Sequence, residues 1–159
     1  EGFRMRRLYI LRHAQAANAA EDFVRPLTAK GIADMKAMAV RLAEWGLHPD
    51  FVLCSPARRT RMTLESLLPG AAAQFPERFY NAEAGTIYEA VKGADDAYGS
   101  VMVVAHNPGI FNFMRFMAAP GPDMPFEYAP GTLTILECPV ECWADLMPGK
   151  NRILRVMAP

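Results

Sequence analysis

Apolar residues in this chain gather in short runs, and polar stretches rich in glycine and proline separate them. Runs of this length, bounded by turn residues, predict β-strands at residues 8–11, 51–54, 101–105, 132–137 and 152–156. Between the first runs the period becomes helical. Ile32, Met35, Ala39 and Leu42 recur on one helix face, Thr28 is placed to cap the start, and Gly46 follows the end. A second helix is predicted from Ser55-Pro56, a capping residue followed by the proline a first turn tolerates, to the stop at Pro69-Gly70. A third is predicted over 83–92, and a fourth after Asn107-Pro108, carrying Ile110, Phe113, Met114 and Met117. Strands and helices alternating at short spacing predict an α/β domain whose mostly parallel sheet is covered on both faces. No helical pattern separates 132–137 from 152–156, so an antiparallel edge is expected there. The stretch 118–131 reads as a loop that either borders a site or crosses the surface.

Composition narrows this picture. With 159 residues, 52% of them hydrophobic and 21% charged, the chain is expected to form a single domain over 5–159, with residues 1–4 a tag remnant or frayed terminus before Met5. Lys and Arg total 17, as do Asp and Glu, so no global charge points to nucleic acid or a membrane surface, and any anion site must be a local cluster. The three cysteines form no even-numbered disulfide framework, and no long apolar run or signal-peptide pattern precedes the domain, so the cytoplasm is the expected location. The pair Cys138 and Cys142 lacks a second ligand pair and reads as structural; no metal or cofactor is expected.

Candidate chemistry sits at the strand ends. Arg12-His13 follows the first predicted strand, Ser55-Pro56-Ala57-Arg58-Arg59 the second, and His106-Asn107-Pro108-Gly109 the third. In an open α/β sheet the carboxyl ends of parallel strands share one edge, where ligands bind. Any one of these residues alone would suit a structural role. Their coincidence in a chain of zero net charge does not, because burying several cations together is expensive unless an anion compensates. Arginine's planar fork matches phosphoryl oxygens, and helix starts add backbone amides. No P-loop pattern occurs, so a nucleoside triphosphate is not implied. With a phosphoryl group present, a neutral imidazole is a competent nucleophile; His13 fits that role, with the small Ala14, Ala16 and Ala17 leaving room, and His106 suits an equatorial oxygen. His48, in a polar turn before Pro49, keeps a structural reading, as do Phe111, Phe113, Phe116 and Phe126, which read as packing.

The segments "LYILRHAQA", "DFVRPLTAKG", "PDFVLCSPARRTRMT" and "VMVVAHNPG" together resemble the histidine phosphatase superfamily, and within it the small bacterial phosphohistidine phosphatase branch, the SixA type. The resemblance implies a three-layer α/β/α sandwich with a mostly parallel sheet, and a metal-independent phosphatase. It implies His13 as the nucleophile that becomes phosphohistidine, Arg12 and Arg59 as phosphate-binding arginines, and His106 as a further phosphate ligand. It also implies a phosphorylated protein or a small phosphorylated molecule as the partner. Arg-His-Ala stands where much of the superfamily has Arg-His-Gly. Phe79-Tyr80-Asn81-Ala82-Glu83 occupies the region that in larger members supplies a leaving-group acid, which makes Glu83 the candidate acid. Arg25 is expected either near the site mouth or fixing the loop before the first helix. A sugar-phosphate phosphatase or mutase of the same superfamily, and a phosphate-recognising domain without turnover, are the rival readings. The short chain leaves little sequence for a cap that would exclude water, and intact Arg12, His13, Arg59 and His106 disfavour a pure binder.

Overall fold

Strands β1 (Arg6–Arg12), β2 (Phe51–Cys54), β3 (Ala73–Gln74), β4 (Ser100–Ala105), β5 (Leu133–Cys138) and β6 (Arg152–Met157) form one sheet in the order β3-β2-β4-β1-β5-β6. The structure is a computed structural model and describes residues 5–159; the segment 1–4, read as a tag remnant, lies outside them. β3, β2, β4 and β1 are mutually parallel, whereas β5 runs antiparallel to both β1 and β6. The expected antiparallel edge is therefore present: β5 pairs antiparallel with β6, and also with β1 on its inner side.

Four helices cover the two faces: α1 (Ala29–Glu44), α2 (Arg58–Leu67), α3 (Ala84–Lys92) and α4 (Gly109–Met117). Side chains alternate across a strand, and the central strands are buried and apolar over Leu8–Leu11 and Val101–Ala105, so each face needs its own cover. Tyr9, Leu11, Val52, Val104 and their neighbours pack under Met35, Met38 and Leu42 of α1 and Leu64 and Leu67 of α2. Leu8, Ile10, Val101 and Val103 pack under Ile87 and Val91 of α3 and Ile110, Phe113 and Met117 of α4. The result is the three-layer α/β/α sandwich.

Two close approaches join this frame to the strand ends. Thr28 Oγ1 accepts the Gly31 N–H at 3.0 Å, a cap contributing about 1 kcal/mol. A Cβ at Gly31 would stand 2.4 Å from the Gln15 carbonyl oxygen, so the start of α1 lies directly on the chain leaving β1. A Cβ at Gly109 would stand 1.8 Å from the Ala82 carbonyl oxygen, so the start of α4 lies directly on the turn before α3.

The structure differs from the sequence reading in several places. Ser55 does not cap α2: Ala57 holds that position without a side-chain bond, and the Ser55 hydroxyl lies 2.6 Å from His106 Nε2. β3 and the single 3₁₀ turns Asp22–Val24, Glu77–Phe79 and Trp143–Asp145 are additional elements. Ala14 is fully buried with its N–H on Thr63 Oγ1 at 3.0 Å, so its small size serves packing. Phe113 is buried as expected, and Phe111 stacks on Tyr128, but Phe116 is half-exposed and Phe126 fully exposed.

Candidate active site

β1 and β4 are in register with Arg12 opposite Ala105, so consecutive residues of the two strands emerge at the same edge. The His13 N–H bonds the Ala105 carbonyl at 3.1 Å, and the His13 and His106 rings lie with centroids 5.6 Å apart. From the next strand, Ser55 supports His106, and the first turn of α2 brings in Arg59, which is only 4% exposed. Arg58, by contrast, points to solvent, and Arg61 lies over the Phe75 ring.

The loop 118–131 takes the bordering role. Its Tyr128 is buried, donates its hydroxyl to Ile10 O at 2.8 Å, and accepts at its carbonyl from Arg12 Nη1 (2.8 Å) and Asn107 Nδ2 (3.0 Å). Residues 16–27 fold over the other side, where Arg25 fixes the loop. Its Nε donates to Ala17 O at 3.0 Å, fixing the loop, and its Nη1 pairs with Asp22 Oδ1 at 3.2 Å. Asp22 also accepts from Arg59 and from the Tyr80 hydroxyl. Asp22, Tyr80, Tyr128 and the contact of Ser55 with His106 were not anticipated from sequence. The available signal for Asp22 was its three-residue spacing from Arg25.

The electrostatics follow from this crowding. Burial, reinforced by Arg12, Arg59 and Arg25, pushes His13 down to about 4, with its bond to the Ala14 carbonyl acting in the opposite direction. Burial, with Arg59 and His13 adding to it, pushes His106 down to about 3. Burial first and Arg59 second also lower Arg12. Both imidazoles are therefore neutral at pH 7. His13 Nδ1 lies 2.7 Å from the Ala14 carbonyl, which can only accept, so the ring proton is on Nδ1 and the lone pair on Nε2.

Of the five buried side-chain polar atoms without a hydrogen-bond partner among the described residues, four are here: Arg12 Nε, Arg59 Nε, His106 Nδ1 and Asn107 Oδ1. A buried polar group left unpaired costs roughly 1–3 kcal/mol, and more when charged. Two converging guanidinium edges and an imidazole nitrogen fit an oxyanion. Glu83 stands apart. It occupies the N-cap of α3 without a side-chain bond, is exposed, and lines a neighbouring hollow of about 560 Å³ with Asn81, Asn107 and Asn112. His48 lies where β2 begins, at the opposite end of the sheet. Among the described residues, no group of three or more His, Cys, Asp or Glu side chains is arranged to hold a metal, and no helix is long and apolar enough to cross a membrane.

A family model described as histidine phosphatase superfamily (branch 1) matches residues 8–89. An uncharacterised protein of Mycobacterium tuberculosis is 35% identical over 100 residues, 62% of this chain, and the chain spans 63% of that relative's length. The phosphohistidine phosphatase SixA of Escherichia coli K12 is 33% identical over 108 residues, covering 64% of this chain and 67% of that protein. Among solved structures, a proposed phosphohistidine phosphatase SixA from Nakamurella multipartitia is 27% identical with a TM-score of 0.87, covering 98% of this chain and 96% of that one.

Proposed function

The chain belongs to the histidine phosphatase superfamily, and on that premise we propose that it hydrolyses phosphohistidine in a protein through a covalent phosphohistidine on His13. The observation that carries the reading is the set of unpartnered buried nitrogens, Arg12 Nε, Arg59 Nε and His106 Nδ1, around a neutral His13 whose lone pair is on Nε2. Three guanidinium groups and one carboxylate, Arg12, Arg25, Arg59 and Asp22, leave two positive charges to meet a phosphoryl dianion.

In the first step His13 Nε2 attacks phosphorus, the N–P bond forms, and the bond from phosphorus to the leaving group breaks. Arg12, Arg59 and His106 hold the equatorial oxygens as their charge shifts in a loose transition state. In the second step water attacks the phosphorus of phospho-His13, inorganic phosphate departs, and neutral His13 returns. An imidazole leaving group carries its own proton, so it needs little acid assistance, whereas an alkyl phosphate needs more. Tyr80 and Phe23 are in edge contact beside His106, an aromatic rim suited to a flat ring. Three unpaired cysteines fit the reducing cytoplasm as the place of action.

The test is a panel of phosphohistidine protein, aryl phosphate and sugar phosphates, run with and without a chelator, with acid quench to trap labelled enzyme. The reading expects preference for phosphohistidine, activity that survives chelation, and acid-labile label lost in His13→Ala. A preference for sugar phosphates, or label on another residue, would overturn it. We also propose Glu83 as an acid for poor leaving groups: Glu83→Gln should slow alkyl phosphates far more than aryl phosphates, and equal slowing would remove that role.

A further inference from the structure

Arg59 must present one edge to the substrate, yet nothing on α2 fixes its guanidinium. Every hydrogen bond of that side chain goes to one residue: Nη1 donates to Asp22 O at 2.9 Å and Nη2 to Asp22 Oδ2 at 3.1 Å, leaving Nε without a partner. Asp22 in turn is not held by packing, since no residue of its 3₁₀ turn Asp22–Val24 is buried. It is held by its other donors. Arg25 Nη1 reaches Oδ1 at 3.2 Å, and the Tyr80 hydroxyl reaches Oδ2 at 2.5 Å.

Tyr80 is itself well seated. It follows the 3₁₀ turn Glu77–Phe79, whose Phe79 is fully buried, and precedes Asn81, whose φ of 54° turns the chain into α3. Asparagine tolerates this left-handed conformation better than most side chains. The Tyr80 ring packs edge-on against His106, with centroids 5.7 Å apart, and against Phe23 at 5.1 Å. One side chain therefore touches both halves of the anion site: its ring meets His106, and its hydroxyl, through Asp22, meets Arg59.

We propose that Asp22, seated by Tyr80 and Arg25, is a positioning residue that turns the Arg59 guanidinium so that its Nε edge faces the phosphoryl oxygens, while the Tyr80 ring braces His106. This rests on the phosphatase reading above. It has a consequence opposite to simple electrostatics. An anion beside the site repels phosphate, so if repulsion were its only effect, replacing Asp22 with asparagine would tighten phosphate binding and raise kcat/KM. A positioning role lowers turnover instead, because the orientation of Arg59 matters most when charge moves onto the transferring oxygens. Asparagine is isosteric but offers one acceptor oxygen where three donors converge, so at least one of Arg25, Arg59 and Tyr80 loses its partner.

The experiment measures kcat and KM on an aryl phosphate, inorganic-phosphate affinity by calorimetry, and melting temperature for wild type, Asp22→Asn, Tyr80→Phe and the double variant. For Asp22→Asn we expect kcat to fall about tenfold or more while the phosphate dissociation constant changes less than about threefold. Tyr80→Phe, which keeps the ring and loses the hydroxyl, should give a smaller fall in kcat. The double variant should be no slower than Asp22→Asn, since both substitutions act through one contact. Melting temperatures should stay together, because Asp22 is exposed and Tyr80 half-buried. Unchanged or raised kcat in Asp22→Asn, or strictly additive losses in the double variant, would overturn the inference while leaving the phosphatase reading intact. A wild type that neither binds phosphate nor hydrolyses any phosphate ester would overturn both.

Discussion

Two of the three arginines on β1, Arg6 and Arg12, differ in everything except residue type. Arg6, at the start of β1, makes four hydrogen bonds to the protein: Nε and Nη2 bond the Glu141 carbonyl, Nη1 bonds Tyr98 O at 2.5 Å, Nη2 bonds Asp96 O at 3.2 Å, and the guanidinium lies 5.4 Å over the Trp143 ring. Arg12, at the other end, makes one side-chain bond, to Tyr128 O, and its buried Nε has no partner. The first works as a staple between β1 and the chain around 96–98 and 141–143. The second is held in place by one corner so that the others remain free for an external acceptor. Arginine at a strand end is thus diagnostic only once its protein partners are known.

Swapping each arginine for alanine breaks the comparison most directly. Arg12→Ala should lower kcat/KM about 10²- to 10³-fold, the scale of losing one transition-state donor, with the melting temperature kept or raised because a poorly paired cation is gone. Arg6→Ala should do the reverse, leaving kcat/KM within about twofold while costing on the order of 1–3 kcal/mol in denaturant unfolding from several lost carbonyl partners. If the two variants gave the same profile, the division of labour along β1 would not hold.

A smaller effect tests whether the carboxyl edge depends on its backbone contacts. Gly109→Ala should force α4 away from Ala82, shifting the chain next to His106, and should lower both stability, by about 1–3 kcal/mol, and activity. Unchanged activity on purified, folded Gly109→Ala would mean that the His106 segment tolerates displacement.

The smallest effect concerns pH. Because burial and the neighbouring arginines hold His13 near 4 and His106 near 3, below the ordinary imidazole value, both stay neutral as the solution is acidified past 6. The acid limb of kcat/KM assigned to the enzyme should therefore lie near pH 4, once ionisation of the substrate is measured separately, and Arg59→Met should move it upward. The sign for stability is also set. The unfolded histidines take up protons near pH 6.5 and the folded ones only near 4 and 3, so this contribution is complete above about 6.5 and is lost progressively as pH falls towards 4 for His13 and 3 for His106. An acid limb near 6.5 would show that His13 is not held neutral by its surroundings.

How much of this was legible in the sequence depends on how local the cause is. The central strands could be read because they are buried on both faces and so are continuously apolar, and α1 because its cap, stripe and terminal glycine all lie within its own span. β3 was illegible: a two-residue strand has no period. Ser55 was misread as a cap because its partner, His106, is 51 residues away. Arg12, His13, Arg59 and His106 stood out because each follows or lies just past a strand end. Asp22 did not, since its value comes from Arg59 and Tyr80, 37 and 58 residues distant, and a lone aspartate in a polar loop carries no mark of such partners.

The spacing of the two histidines is worth following one step further. It is set by adjacent parallel strands, whose separation of about 4.8 Å is a constant of sheet geometry, and by the His13 N–H bond to Ala105 O that ties the two exits together. The loops that carry Asp22, Tyr80 and Tyr128 do not enter that hydrogen bond; they hold Arg59, His106 and Arg12 instead. A designer wanting a different substrate could therefore graft new rim loops onto this sheet and inherit the interstrand spacing of the two imidazoles, provided the new loops again supply acceptors for Arg12 and Arg59.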